Sequence, residues 1–345
     1  MQVELEPVAF EALSGWADDD HAAALQAFRR TAERHRERAL RSRSLTPLDG
    51  FDEAAAASKG VSDARSYFET WFRPHRIGTG KLTAYYEPTF PATRERCDGF
   101  EVPLHRRPPD LVETGDPDMR FGRRVADGFV PYHDRGAIQS GALDGQGLEL
   151  AWLRDRVDAF VIHIQGSALL RFDDGSTARV TYDAKSGHPY VSLGAELLRE
   201  LRENDATVTP RDVTADVLND WLRANPERQE AFLARNPSYI FFREAPDGGD
   251  GPVAAAKVPL TPGRSLAVDR TLHSFGLPFW IETEEPLFPG LPPERRLTIA
   301  QDTGSAIVGP ARGDLFLGTG EKAGDHAAFV NHAASFTVLL PRSHR

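Results

Sequence analysis

The chain has 345 residues, a length that predicts about two domains at roughly 150 residues each, and its 40% apolar and 27% charged content suits a globular protein with substantial cores. Lys and Arg total 41 against 51 Asp and Glu, a net charge of -10. That balance excludes a general nucleic-acid binder, whose phosphate contacts need a basic face.

The single cysteine, Cys97, rules out an intrachain disulfide and a Cys-based zinc site, and it is expected as a small apolar filler. No apolar run approaches the roughly 18 residues of a transmembrane helix. The opening MQVELEPVAF has no basic stretch followed by an apolar one, so no secretory signal is read.

In chain order, residues 18–40 are Ala-rich, begin acidic and end in Arg, which suits a helix dipole. Ser62 to Phe72 predicts a short helix with Ser62 as N-cap and Pro74 as its stop. Its Tyr67, Phe68, Trp71 and Phe72 form an apolar stripe expected in the core. From about residue 80 the pattern turns to short alternating segments broken by Gly, Pro and Asp. KLTAYYEP, DAFVIHIQG, LLRF and ARVTY are predicted strands, the last two joined by a turn at Asp173-Asp174-Gly175. Helical patterning returns at 194–204 and again after Thr209-Pro210, where Val213, Val217 and Trp221 repeat every four residues. Asn225-Pro226 restarts a helix to Arg235, and SYIFFRE alternates as a strand. APDGGDG at 245–251 is the expected linker. A further β-rich stretch follows, with one short helix near Asp325 to Asn331. The whole reads as a mixed but mainly β protein in two parts.

Several familiar chemistries are missing. There is no HExxH, no close His pair joined by a carboxylate and no GxSxG. Gly318 to Ala323 fits G-x-G-x-x-G/A, but a dinucleotide site needs a further strand and an acidic residue about twenty positions on; only 22 residues follow Ala323 and none beyond Asp325 is acidic, so the nucleotide reading fails. The strongest local signal is LTIAQDTGSAIVGPARGDLFLG, residues 297–318. It reads as a β-segment ending at Asp302, a Gly-punctuated loop, and Asp314 opening a second β-segment. Ile299, Ile307, Leu315 and Phe316 flank these carboxyls with apolar surface. Desolvation and a neighbouring carboxylate both raise a carboxyl pKa, and a protonated carboxyl is what protonation of a glycosidic oxygen requires. The same two residues also suit turn-capping, which Asp does often.

Seven motifs in order resemble the MltA family and the 3D domain, named for its three aspartates. They are LTAYYEP; VPLHRRPPDL from Val102; Gln165-Gly166-Ser167 within FVIHIQGSALLRFDDG; SGHPYVSLG around His188; NPSYIFF from Asn236; Asp269-Arg270; and QDTGSAI at Asp302 with GDLFLG at Asp314. The resemblance implies a mainly β fold: a double-psi β-barrel domain with a second, smaller β-domain inserted, plus peripheral helices. The barrel would comprise 1–90 plus 248–345, and the inserted domain 91–247, with a groove between them for a glycan strand. It implies a lytic transglycosylase that cleaves the MurNAc-GlcNAc β-1,4 bond of peptidoglycan and forms 1,6-anhydro-MurNAc. Asp314 would be the single acid/base, with Asp302 and Asp269 as catalytic neighbours that orient the loop and tune the pKa. Tyr85, Tyr86, Glu87, Gln165, Gly166, Ser167, Gly304 and Ser305 are the implied substrate-binding residues, although Tyr85 and Tyr86 equally suit packing within the barrel. No metal and no cofactor are implied. The expected partners are peptidoglycan glycan strands and other cell-wall enzymes, never nucleic acid, for a monomer in the periplasm or at the outer membrane. Several features depart from the family: Ser305 mildly and Ala84 where glycines are usual, Val191 where Arg is usual, and no lipoprotein signal read before the domain. Two readings rival this one, the first from the same barrel class and the second from another class of function. One is a hydrolase using Asp302 and Asp314 with a water, which inverting chemistry would place roughly 6.5–9.5 Å apart. The other is a glycan-binding module without catalysis.

Overall fold

A computed structural model describes residues 5–34, 46, 48–116, 119–245, 251–288 and 290–342. Except for its two ends, the expected linker at 245–251 lies outside them, as do positions 35–40 of the first expected helix and the first four residues of the chain. The chain divides into two compact units, Met1–Tyr86 with Gly248–Arg345, and Glu87–Asp247.

The first unit opens with β1 (Glu6–Pro7), helices α1 (His21–Arg34), α2 (Phe51–Ala57) and α3 (Ala64–Trp71), and the strand β2 (Phe72–Glu87). The second begins with β3 (Thr89–Ala92), β4 (Val102–His105), β5 (Leu111–Glu113), β6 (Phe121–Val125) and β7 (Gly128–Val130). It continues with α4 (Arg135–Gln139), β8 (Glu149–Leu153), α5 (Arg156–Gln165), β9 (Ser167–Phe172) and β10 (Thr177–Lys185). Helices α6 (Leu193–Asn204), α7 (Ala215–Ala224) and α8 (Pro226–Leu233) lead to β11 (Ile240–Glu244). The chain then returns to the first unit with β12 (Ser265–Val268), β13 (Pro278–Thr283), β14 (Arg295–Asp302) and β15 (Arg312–Thr319), followed by α9 (Glu321–Phe329) and β16 (Asn331–Pro341). The protein is mainly β with some helices.

In the first unit the strands lie in the order β1-β2-β15-β12-β14-β13-β16, and β16 pairs back onto β2. β12 and β14 run parallel, whereas β12 with β15, β13 with β14 and β16 with β2 are antiparallel. β12 is buried along its whole length, as is most of β13, so their LAV and PFWI segments read in sequence as continuous apolar stretches rather than alternating ones. Helix α1 packs one face onto this unit's core and leaves the other exposed. Its His21, Ala24, Leu25, Phe28 and Thr31 recur at helical spacing and are buried, and Phe28 meets Phe51, Tyr67, Phe68 and Phe72 at ring-centroid distances of 5.5, 5.9, 6.1 and 5.7 Å. Gln301, itself fully buried, fastens α1 to β14 by donating to the Ala27 carbonyl at 2.8 Å and to Thr31 Oγ1 at 2.7 Å.

The second unit is a four-stranded sheet, β11-β10-β9-β3, with a two-stranded and a three-stranded sheet beside it. β9 and β10 form the expected hairpin, turning through Gly175 at φ 82°. The segment DAFVIHIQG, expected as a strand, is helix α5. Asp155 caps it by accepting from the Asp158 N–H, and Gly166 ends it in the left-handed conformation. Its Val157 and Phe160 enter one apolar cluster with Leu197, Leu218 and Leu222. Ala159 and Ile162 enter another with Leu170, Val180 and Phe242. A helix buried on two sides carries no single apolar stripe, and this is why it resembled a buried strand. Among the described residues the inserted unit carries five α-helices beside its strands.

The smaller differences mostly concern where helices begin and end. Asp63, not Ser62, caps α3. That helix stops at Trp71 because Phe72 already extends into β2, and Pro74 lies inside the strand opposite Leu339. After Thr209-Pro210 only a 3-10 turn forms, closed by the Thr209–Asp212 capping box, and Thr214 then caps α7. On α7 the buried residues are Leu218 and Leu222, while Val217 is 41% exposed. The last helix begins at Glu321 rather than near Asp325. Cys97, expected as a filler, is exposed.

Replacing Phe28 with Ala removes a ring packed against four others and is expected to cost about 3–5 kcal/mol. Urea denaturation followed by tryptophan fluorescence measures it.

Candidate active site

The two carboxyls singled out in the sequence share one sheet. Ala267 on β12 has Asp302 as its register partner on β14 and Asp314 as its partner on β15. The carboxyl-bearing positions therefore flank the same central residue, roughly two strand spacings apart, or about 10 Å between Cα atoms. Asp302 ends its strand, and Asp314 is the third residue of its own. Both are half-buried.

Their surroundings differ. Asp302 accepts from three donors: the Tyr85 hydroxyl at 2.8 Å, the Thr303 N–H at 2.8 Å and the Ala255 N–H at 3.2 Å. Asp314 accepts at Oδ1 from the Thr83 hydroxyl, and no hydrogen bond reaches its Oδ2 among the described residues. Arg312 donates to Thr83 Oγ1 at 2.8 Å, so that hydroxyl takes the guanidinium as donor and turns its own proton to Asp314.

Burial pushes the Asp314 carboxyl above its ordinary value. The Thr83 hydrogen bond and the Arg312 charge oppose the rise, and the charge of Asp302 adds to it. Burial raises Asp302 as well, against its hydrogen bonds from Tyr85, Thr303 and Ala255 and the charge of Lys257. Two carboxyls within reach of each other's field do not ionise together easily. Asp302 has the three donors and is the better seat for the negative charge, which leaves the proton to Asp314. Burial and then Asp302 hold the Tyr85 phenol well above its usual range, so it stays a donor.

Asp269 is not beside these two in register. It lies just past β12, buried, with Oδ1 accepting from Thr271 N–H at 2.9 Å and Thr271 Oγ1 at 2.6 Å, and Oδ2 accepting from Gly309 N–H at 2.8 Å. Burial opposes its ionisation, but these hydrogen bonds outweigh burial and hold the carboxyl below its ordinary value. It is a fixed anion that ties down the loop between β14 and β15.

The expected binding residues separate by position. The Tyr85 ring packs on Phe316 at 5.4 Å while its hydroxyl serves Asp302, so both readings of this residue apply at once. Tyr86 packs over α9 so tightly that a Cβ at Gly324 would come within 2.8 Å of its ring. Gly304 and Ser305 form an exposed turn, closed by the Ile307 N–H on the Gly304 carbonyl at 3.0 Å. Glu87 has no exposed area and pairs with Arg179 at 2.8 Å, so it presents nothing to a ligand and acts as a support. In the second unit Gln165 is the last residue of α5, Gly166 its left-handed cap at φ 79°, and Ser167 the buried first residue of β9. Thr83 and Arg312 were missed in sequence. The signal lay in strand periodicity, since each precedes a chosen residue, Tyr85 or Asp314, by two and so shares its face. Among the described residues no group of three or more His, Cys, Asp or Glu side chains is placed to hold a metal ion.

Residues 81–243 match the MltA specific insert domain, and residues 264–340 match the 3D domain. The crystal structure of a membrane-bound lytic murein transglycosylase from Agrobacterium tumefaciens aligns with a TM-score of 0.87 and 38% identity, covering 98% of this chain and 98% of that one. The chain belongs to the MltA family. MltA from Neisseria gonorrhoeae aligns with a TM-score of 0.79 at 30% identity, over 99% of this chain and 93% of that one. Membrane-bound lytic murein transglycosylase A of Vibrio cholerae is 34% identical over 206 residues, which are 57% of this chain and 53% of that protein, so the match spans about half of that relative's length. No helix among the described residues is long and apolar enough to cross a membrane.

The raised carboxyl generates a stability prediction. A folded-state pKa above the unfolded one gives stability that is full below the unfolded value, near 3.9, and is lost as pH rises through the folded value. Asp314→Asn removes that loss. Its thermal midpoint is expected to match the wild type near pH 3.5 and to exceed it increasingly toward pH 8, as differential scanning calorimetry across that range will read.

Proposed function

We propose that this MltA-family protein is a lytic transglycosylase that cleaves the MurNAc-GlcNAc β-1,4 bond of peptidoglycan, with Asp314 as its single acid/base. The observation that carries the reading is the state of the Asp314 carboxyl, raised by burial and with no hydrogen bond to Oδ2 among the described residues. Asp314 protonates the bridging oxygen as the C1–O4 bond breaks, and GlcNAc leaves with that proton. The carboxylate so formed takes the proton of the muramyl C6 hydroxyl, whose oxygen attacks C1 and closes the 1,6-anhydro ring. Asp314 ends protonated, ready for the next bond, and no water is consumed. Arg312 and Thr83 steady the carboxylate between the two steps, and Asp302 keeps the negative charge nearby that favours a developing oxocarbenium ion.

The relatives' names support the substrate class, and the two family matches support the division of labour. On this reading residues 1–90 plus 248–345 form the catalytic double-psi β-barrel domain, close to the bounds of the first unit, Met1–Tyr86 with Gly248–Arg345. Its support is the return of β16 to β2 and the parallel β12–β14 pair. Residues 91–247 are the inserted domain, whose Gln165 to Ser167 contact sugar; in the barrel domain Tyr85, Gly304 and Ser305 do so. The protein works as a monomer on glycan strands in the periplasm or at the outer membrane. Against a two-carboxylate hydrolase stands the engagement of Asp302 by three donors, which leaves it poorly placed to activate a water.

Digestion of purified peptidoglycan followed by mass spectrometry tests the proposal. Wild type is expected to release anhydromuropeptides, and Asp314→Asn to be slower by roughly 10²–10⁴-fold. Reducing-end products, heavier by one water, would make the enzyme a hydrolase, and a wild type without products would leave a glycan-binding module. Thr83→Val removes a hydrogen bond that favours the carboxylate, so the Asp314 pKa rises further. Because the acid works protonated, the alkaline limb of the kcat/KM profile is expected to move to higher pH.

A further inference from the structure

The loop between β14 and β15 is fastened to other elements at four successive residues just before Asp314. Gly309 donates its N–H to Asp269 Oδ2 at 2.8 Å. The Pro310 carbonyl meets His273 Nε2 at 2.8 Å. The Ala311 carbonyl accepts from the Lys81 N–H at 3.0 Å, an approach so close that a Cβ at Gly80 would lie 1.7 Å from that oxygen. Arg312 holds Thr83, and Thr83 holds Asp314.

Three of these fastenings belong to residues or backbone already placed at the site, but His273 does not. It lies in none of the motifs read from the sequence, and it has no exposed area. A carbonyl can only accept, so Nε2 carries the ring proton. Nδ1 is buried without a hydrogen-bond partner among the described residues, and burial holds the imidazole pKa below its ordinary value. The ring is therefore neutral with its one proton at Nε2, and it is wedged edge-on against Phe279 at 5.0 Å. Asp269 and His273 come from the same turn, closed by the His273 N–H on the Asp269 carbonyl at 2.8 Å. One rigid turn thus grips both a donor and an acceptor of adjacent loop residues.

We propose that His273 is a positioning residue: through Pro310 it sets where Arg312 and Thr83 hold the Asp314 carboxyl. The activity read-out rests on the transglycosylase reading, whereas the clamp itself rests only on the geometry of the loop. A misplacement of about 1 Å at a reacting group costs on the order of 10²-fold in rate. Removal of the His273 clamp is therefore expected to act on kcat and not on KM.

The experiment compares His273→Leu, His273→Gln and His273→Asn in the full chain. Gln carries its amide nitrogen near the position of Nε2 and restores the bond to Pro310, while Asn is too short to reach it. With peptidoglycan, Leu and Asn are expected to lower kcat by about 10–100-fold with KM within about twofold, and Gln to recover most of the rate. Hydrogen exchange of residues 303–313 is expected to quicken in Leu and Asn but not in Gln, with the rest of the first unit unchanged. If Leu does not fold, Gln against Asn carries the same comparison. Equal loss in Gln and Asn, a rise in KM at constant kcat, or unaltered exchange at 303–313 would each overturn the clamp. A wild type that releases no anhydro product but shows the exchange pattern would overturn the transglycosylase reading and leave the clamp standing.

Discussion

Removing two carboxyls from water into one sheet, within each other's field, is an unfavourable arrangement, and the rest of the first unit is organised around tolerating it. Ala267 brings Asp302 and Asp314 to its two sides by register alone. Desolvation then raises both, and what separates them is the number of donors each receives. Among the described residues Asp302 receives three and is fixed, while Asp314 receives one, at Oδ1. The chemistry proposed for this enzyme family member follows from that asymmetry, not from the presence of carboxylates as such.

The donors come from segments far apart in sequence, which explains the intricacy of the first unit's connections. Tyr85 and Thr83 stand on β2, Ala255 on the segment that returns to the unit, and Arg312 on β15 itself. For these to meet, β2 must lie beside β15 and the returning chain must cover the end of β14. Phe28 and its ring neighbours supply the packing that holds α1 against this assembly, and Gln301, next to Asp302, ties the helix to the strand that carries it. Stability and site geometry thus share β14.

Some of the architecture was legible because local chemistry agreed with the tertiary outcome. The β9–β10 hairpin, α6, and the strands ending at Asp302 and opening near Asp314 all carry their own turn residues, caps or alternation. DAFVIHIQG failed for the opposite reason. Its apolar residues face two clusters, and a helix buried on both sides loses the period that identifies it. Val213, Val217 and Trp221 marked the helix α7, in which Leu218 and Leu222 are the buried residues, Val213 and Trp221 pack beside them and Val217 stays exposed.

By itself the sequence determined that two aspartates sit at the ends of apolar β-segments in a Gly-rich frame, that the chain is acidic and cysteine-poor, and that its motifs run in the order of one family. These are properties of composition and of neighbours along the chain. Tertiary structure alone decided that Asp302 would be saturated and Asp314 spared, that Glu87 would be buried against Arg179, and that Thr83, Arg312 and His273 would surround the loop. Each of those outcomes depends on a hydrogen bond or ion pair between residues distant in sequence. The strength of such contacts is set by burial and register, and neither has a value until the strands have paired.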